Sequence, residues 1–127
     1  MENNSYKTEY LGGNITCVVS DDHTFGTDAV LLSRFSAPKR KDICCDLGTG
    51  CGIIPLLWLR EDFTNPVTAV EIQENACSLV RESIEMNNLQ GKLEIINCDL
   101  REFAENLPMG KFSLVTFNPP YFSVDSG

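Results

Sequence analysis

Apolar and polar positions divide this chain into a start that folds back on itself and a longer stretch that alternates strand with helix. Thr8 to Ser20 sets β-prone residues on either side of Gly12-Gly13-Asn14, the pattern of a hairpin. In Thr24 to Phe35 the apolar residues recur at helical spacing. Thr27 or Asp28 is the expected cap there, and Pro38 the stop. Asp42 to Leu47 then reads as a strand and Gly52 to Arg60 as a helix, whose Pro55 is tolerable because it falls in the first turn. Val67 to Ile72 is the next strand. Glu74 to Asn87 follows as a helix with Ala76, Leu79, Val80 and Ile84 on one face. Leu93 to Cys98 and Lys111 to Phe117 give a third and a fourth strand, with a short helix expected over Phe103 to Leu107.

Strands that alternate with helices imply right-handed crossovers and a parallel sheet. The expected fold is therefore α/β, a Rossmann-like parallel sheet with flanking helices, preceded by a β-hairpin. The expected division sets the hairpin and first helix, residues 1–38, before an α/β part over residues 39–127.

Composition narrows the setting. A chain of 127 residues with 43% hydrophobic and 22% charged content has the size and balance of one soluble globular domain. Met1-Glu2-Asn3-Asn4-Ser5 is too polar for a secretory signal. The longest apolar run, Gly52 to Leu59, falls far short of the roughly 20 residues a membrane span needs. The expectation is a cytoplasmic protein with no membrane contact. A net charge of −8 argues mildly against a surface that grips phosphates. The basic run Lys39-Arg40-Lys41 reads as a solvated loop before a strand. None of the six cysteines forms a Cys-x-x-Cys pair and His23 is the sole histidine, so no metal site is expected. Adjacent Cys44 and Cys45 point to opposite faces of their strand, and the cysteines are expected to serve as small buried apolar side chains.

In an open parallel sheet, ligands bind beyond the carboxyl ends of the strands. Here the first strand runs into Asp46-Leu47-Gly48-Thr49-Gly50-Cys51-Gly52, whose alternate glycines allow a sharp turn and a close backbone approach. Taken alone, such a loop equally serves tight helix packing. The second strand leads to Glu71, 25 residues after Asp46, where a carboxylate can accept ribose hydroxyls. The third leads to Asp99, suited to the exocyclic amine of a purine, with the Leu100 amide beside it. Acidic residues at successive strand ends point to a nucleoside cofactor. It is not a dinucleotide, because the fingerprint needs glycine where Ile53 stands, and the Gly-Lys-Ser/Thr of nucleotide hydrolases is missing.

In this order and spacing, the glycine loop, Glu71, Asp99 and Asn118-Pro119-Pro120-Tyr121 resemble the motifs of class I S-adenosylmethionine-dependent methyltransferases. The resemblance implies that the loop with Asp46, Gly48, Gly50 and Gly52 holds the methionine part of S-adenosylmethionine. Glu71 would take the ribose, Asp99 the adenine amine, and Ile72 and Leu100 would line the adenine slot. Asn-Pro-Pro-Tyr is that family's signature for methylating a planar nitrogen. The Asn118 side-chain carbonyl and the Pro119 backbone carbonyl would accept its two hydrogens, and Pro120 would stiffen the turn. Tyr121 would stack on the base. Phe25-Gly26-Thr27-Asp28-Ala29-Val30-Leu31-Leu32 is similar to the entry segment of bacterial methyltransferases acting on adenine of a valine tRNA, which implies Thr27 near the methionine end. The implied partner is tRNA, held through surfaces mostly outside this chain. The alternatives are a protein-glutamine or ribosomal-RNA guanine methyltransferase, or a cofactor-binding fragment without catalysis. The family's domain continues past its fourth strand, so the exposed edge of that strand is expected to favour self-association.

Overall fold

The structure is a computed structural model and describes residues 6–106 and 110–117. Strands β1 (Lys7–Gly12) and β2 (Ile15–Val19) form an antiparallel hairpin, with Lys7 opposite Val19 and Gly12 opposite Ile15. The rest alternates: α1 (Thr27–Ser36), β3 (Cys44–Leu47), α2 (Ile53–Arg60), β4 (Val67–Glu71), α3 (Glu74–Met86), β5 (Leu93–Asn97), α4 (Leu100–Glu105) and β6 (Leu114–Phe117). The four later strands form one parallel sheet in the order β5-β4-β3-β6. The hairpin and the Rossmann-like sheet are both as expected. No helix among the described residues is long and apolar enough to cross a membrane.

Apolar patterning accounts for the layers. Every residue of α2 from Ile53 to Leu59 is buried, because α1, β1 and β2 close over it. Pro55 is its third residue, where no intrahelical hydrogen bond is lost. One apolar core runs from Ile15, Cys17, Val18 and Val19 of the hairpin through Ala29, Leu56 and Trp58 to Leu79 and Leu93. Each large side chain so buried contributes about 1.5–3 kcal/mol. Five of the six cysteines are buried and Cys98 is partly so; all are free thiols.

Ser83 of α3 and Asn87, the residue that caps its C-terminus, dock the hairpin. Val18 donates its amide to Ser83 Oγ at 2.9 Å. Asn87 accepts from the Thr16 amide at 2.8 Å and donates to the Thr16 carbonyl at 2.7 Å. These side chains thus satisfy the outer edge of β2 as a third strand would.

Several boundaries differ from expectation, each for a local reason. Neither Thr27 nor Asp28 caps α1. Gly26 does, without a side-chain bond, and Thr27 and Asp28 are the first helical residues, where the charge of Asp28 suits the helix dipole. β3 starts at Cys44 rather than Asp42, because Asp42 accepts from the Lys39 amide at 2.7 Å and closes a turn. β6 starts at Leu114, after Ser113 has donated its hydroxyl to Asp42. The short helix begins at Leu100, three residues early, because Asp99 caps it by accepting from the Arg101 amide at 2.8 Å.

Candidate functional site

The loop after β3 reverses through two glycines that the site needs for different reasons. Gly52 has φ +85°, and a Cβ there would come within 3.2 Å of Val80, so this glycine serves the packing of α3. Gly50 has φ +61°, and a Cβ there would meet nothing within 4 Å. The loop is therefore open at Gly50, on the side where a ligand would lie. Its base is stitched to the sheet by the Thr49 amide, which donates to the Val70 carbonyl at 3.0 Å.

Beneath the loop lies Asp46, with no exposed surface. The Thr49 hydroxyl donates to one of its carboxylate oxygens and the Thr116 hydroxyl to the other, both at 2.6 Å. Loss of hydration pushes the Asp46 carboxyl up to about 6; the two hydroxyls pull the other way, and the nearby Glu71 charge adds to the rise. Register makes this arrangement possible: in the sheet Asp46 sits between Ala69 of β4 and Thr116 of β6. Asp46 thus holds the loop from below instead of facing outward.

Glu71 closes the loop from the side. Its Oε1 accepts from the Gly50 amide at 2.8 Å and its Oε2 from the Gln73 amide at 3.1 Å. Ile72, the next residue, is exposed. From the end of β5, Asn97 donates to the Glu71 and Ile72 carbonyls, each at 3.0 Å, and so ties the second strand end to the third. Asp99 and the partly buried Leu100 follow there. The Arg101 amide first, and its guanidinium second, hold the Asp99 carboxyl below the usual range.

Of the residues expected in the site, Asp46, Gly48, Gly50, Gly52, Glu71 and Ile72 come together directly, and Asp99 and Leu100 join through Asn97. Thr27 is exposed at the first turn of α1, which packs on α2. Asn118, Pro119, Pro120 and Tyr121 lie outside the described residues. Thr49, Asn97 and Thr116 escaped the sequence reading. Thr116 had a visible signal, a hydroxyl inside an otherwise apolar strand.

Sheet order, the glycine loop and the acidic strand ends make this the fold of class I methyltransferases. Solved structures agree on the fold. The M. jannaschii tRNA m1G37 methyltransferase matches with a TM-score of 0.66 at 20% identity, over 95% of this chain and 36% of that one. The C-terminal domain of precorrin-6Y C5,15-methyltransferase from Rhodobacter capsulatus also reaches 0.66, at 17% identity over 83% of this chain and 54% of that one. M. capricolum TrmK, solved with S-adenosyl-homocysteine, gives 0.61 at 18% identity, over 75% of this chain and 41% of that one. Residues 14–126 match the model of the methyltransferase small domain, and the chain belongs to that family. Among curated relatives, the tRNA1(Val) (adenine(37)-N6)-methyltransferase of Parabacteroides distasonis is 34% identical over 103 residues, 80% of this chain. Its counterpart in Photorhabdus laumondii is 33% identical over 98 residues, 76% of this chain. The chain spans 41% and 40% of the length of these two relatives.

Proposed function

We propose that this chain is the cofactor-binding part of an S-adenosylmethionine-dependent methyltransferase that methylates the exocyclic amine of adenine in tRNA. One observation carries the reading: an open glycine loop stands over buried Asp46 and is bonded directly to Glu71. The residues fit the cofactor. When bound, S-adenosylmethionine supplies an activated methyl group on a sulfonium cation. Asp46 and Glu71 make the surroundings negative, which suits that cation better than a pyrophosphate.

In this reading Glu71 keeps lone pairs for the ribose hydroxyls besides those taken by two amides. Asp99 accepts the adenine amine with the oxygen not used for capping, and Ile72 and Leu100 cover the ring. The loop backbone at Gly48, Gly50 and Gly52 and the side chain of Thr27 bound the methionine end. The amine to be methylated is a poor nucleophile, because its lone pair is delocalised into the ring. Asn118 and Pro119 carbonyls accept its hydrogens and turn the lone pair toward the methyl group; Pro120 and Tyr121 hold the turn and the base. The chain enters this segment from Phe117, which pairs with Leu47 just before the loop. The reading also places the protein in the cytoplasm, and the outer edge of β6 favours association between copies.

The test is methyl transfer to a tRNA1(Val) transcript by a full-length version that carries the rest of the methyltransferase domain, with the product nucleoside identified by mass spectrometry. N6-methyladenosine is expected. This chain alone is expected to bind cofactor without turnover. Asn118→Ala should abolish transfer yet leave S-adenosylhomocysteine binding nearly intact, and Glu71→Ala should weaken that binding by about 1–3 kcal/mol. A methylated guanine, no transfer to the transcript, or an Asn118→Ala rate close to the parent's would sink the assignment.

A further inference from the structure

A cavity of about 850 Å³ lies at the opposite end of the sheet from the glycine loop, between the last turns of α1 and α2 and the segment leading to β4. Arg34, Arg40 and Arg60 line it, together with Pro38, Trp58 and Phe63. Lys39 and Lys41 flank Arg40 and are exposed. Five of the ten basic residues in a chain of net charge −8 therefore gather at one end. The acidic groups nearby are few and partly committed. Glu61 pairs with Arg60 at 2.8 Å, the Asp42 charge lies close enough to Lys39 to interact with it, and Asp62 stands on the rim, so Arg34, Arg40 and Lys41 are the cations left over. Arg34, Arg40 and Lys41 form no ion pair with any described residue.

The Lys39-Arg40-Lys41 run is held in shape. Asn65 donates to the Arg40 carbonyl at 2.7 Å and to the Asp42 carbonyl at 2.9 Å, and the Asp42 amide returns to the Lys39 carbonyl at 2.9 Å. Three consecutive cations thus project from a braced turn. Phe35, the residue after Arg34 in α1, is 90% exposed. Exposed cations hold RNA by neutralising phosphates, and an open aromatic ring can stack on an unpaired base.

We propose that this basic end binds RNA phosphates, giving the chain its own RNA-docking surface remote from the methyl-transfer site. The inference rests on the RNA-substrate reading above. It reverses the expectation that RNA contacts lie mostly outside the chain and that Lys39-Arg40-Lys41 is only a solvated loop. The braced turn enters the N-terminal end of β3 and the glycine loop leaves the other end, so about 13 Å of strand separates the two. One RNA would then be gripped at one end of the strands while the target base is presented at the other.

Anisotropy of a labelled, unmodified tRNA transcript between about 50 and 200 mM salt tests this. Arg34→Glu/Arg40→Glu and the milder Lys39→Gln/Lys41→Gln should each weaken binding, the first by about tenfold or more. Each should also make the slope of log K against log salt shallower by roughly one to two. S-adenosylhomocysteine affinity, measured by calorimetry, should not change and serves as the control for folding. Unchanged tRNA affinity and slope in both variants would overturn the docking surface and leave the RNA-substrate reading standing. No tRNA binding by this chain even at the low-salt end would also overturn the docking surface, whereas the RNA-substrate reading falls only on the methyl-transfer product. Loss of binding to phosphatidylserine vesicles without loss for tRNA would assign the patch to a membrane surface instead.

Discussion

Asp46 is a carboxylate kept where water cannot reach it, and the consequence can be measured. Its folded carboxyl keeps its proton up to about pH 6, against 3.8 ordinarily. Between those values the folded state holds a proton that the unfolded state has released, so this residue makes stability fall as pH rises from about 4 to about 6. Above that window the contribution is level. Two units correspond to about 3 kcal/mol. Urea unfolding of the parent and of Asp46→Asn should show the parent losing about that much, relative to the variant, across the window. A flat difference would mean that Asp46 titrates as an exposed carboxylate does. At this scale the sequence showed Asp46 as the start of a glycine loop. It could not pair Asp46 with Thr116, which lies 70 positions away and meets it only through strand register.

Among the elements, the hairpin depends most on a few polar bonds. Asn87 joins Thr16 through both the amide and the carbonyl, and also donates to the Ser83 carbonyl at 2.7 Å. Replacing it by alanine strands a part-buried amide of β2, a loss of about 1–3 kcal/mol. Asn87→Ala should lower the melting temperature and speed hydrogen exchange at Thr16, with the β3 and β4 amides much less affected. Exchange at Thr16 that keeps its parent rate would show that apolar contacts alone dock the hairpin. Most elements were legible from periodicity because one face of each is apolar. The start of α4 was not, since the Asp99 side chain could either cap a helix or await a ligand. The structure shows it capping, through one of its two oxygens.

For the whole molecule, the open side of the sheet matters most. β6 is an edge strand among the described residues, paired only with β3, and its Val115 and Phe117 are 48% and 53% exposed. An unpaired strand edge with apolar side chains recruits another strand. The chain should therefore self-associate with rising concentration in light scattering, and Val115→Lys should shift it toward monomer. A parent that stays monomeric at high concentration would show that this edge is covered. The hairpin does not cover it, because it packs on α2 and α3.

The order of motifs along the chain was enough to determine the alternation of strands and helices, the parallel sheet and the strand ends where chemistry gathers. Those features depend on local spacing, on the 3.6-residue and two-residue periods and on glycines that only a turn accommodates. Tertiary structure decided the rest. Asp46 became a buried support and Glu71 a direct partner of the Gly50 amide, and half of the basic residues collected at the end away from the loop. Each of these brings together groups from separate parts of the chain, which only strand register and helix packing place side by side.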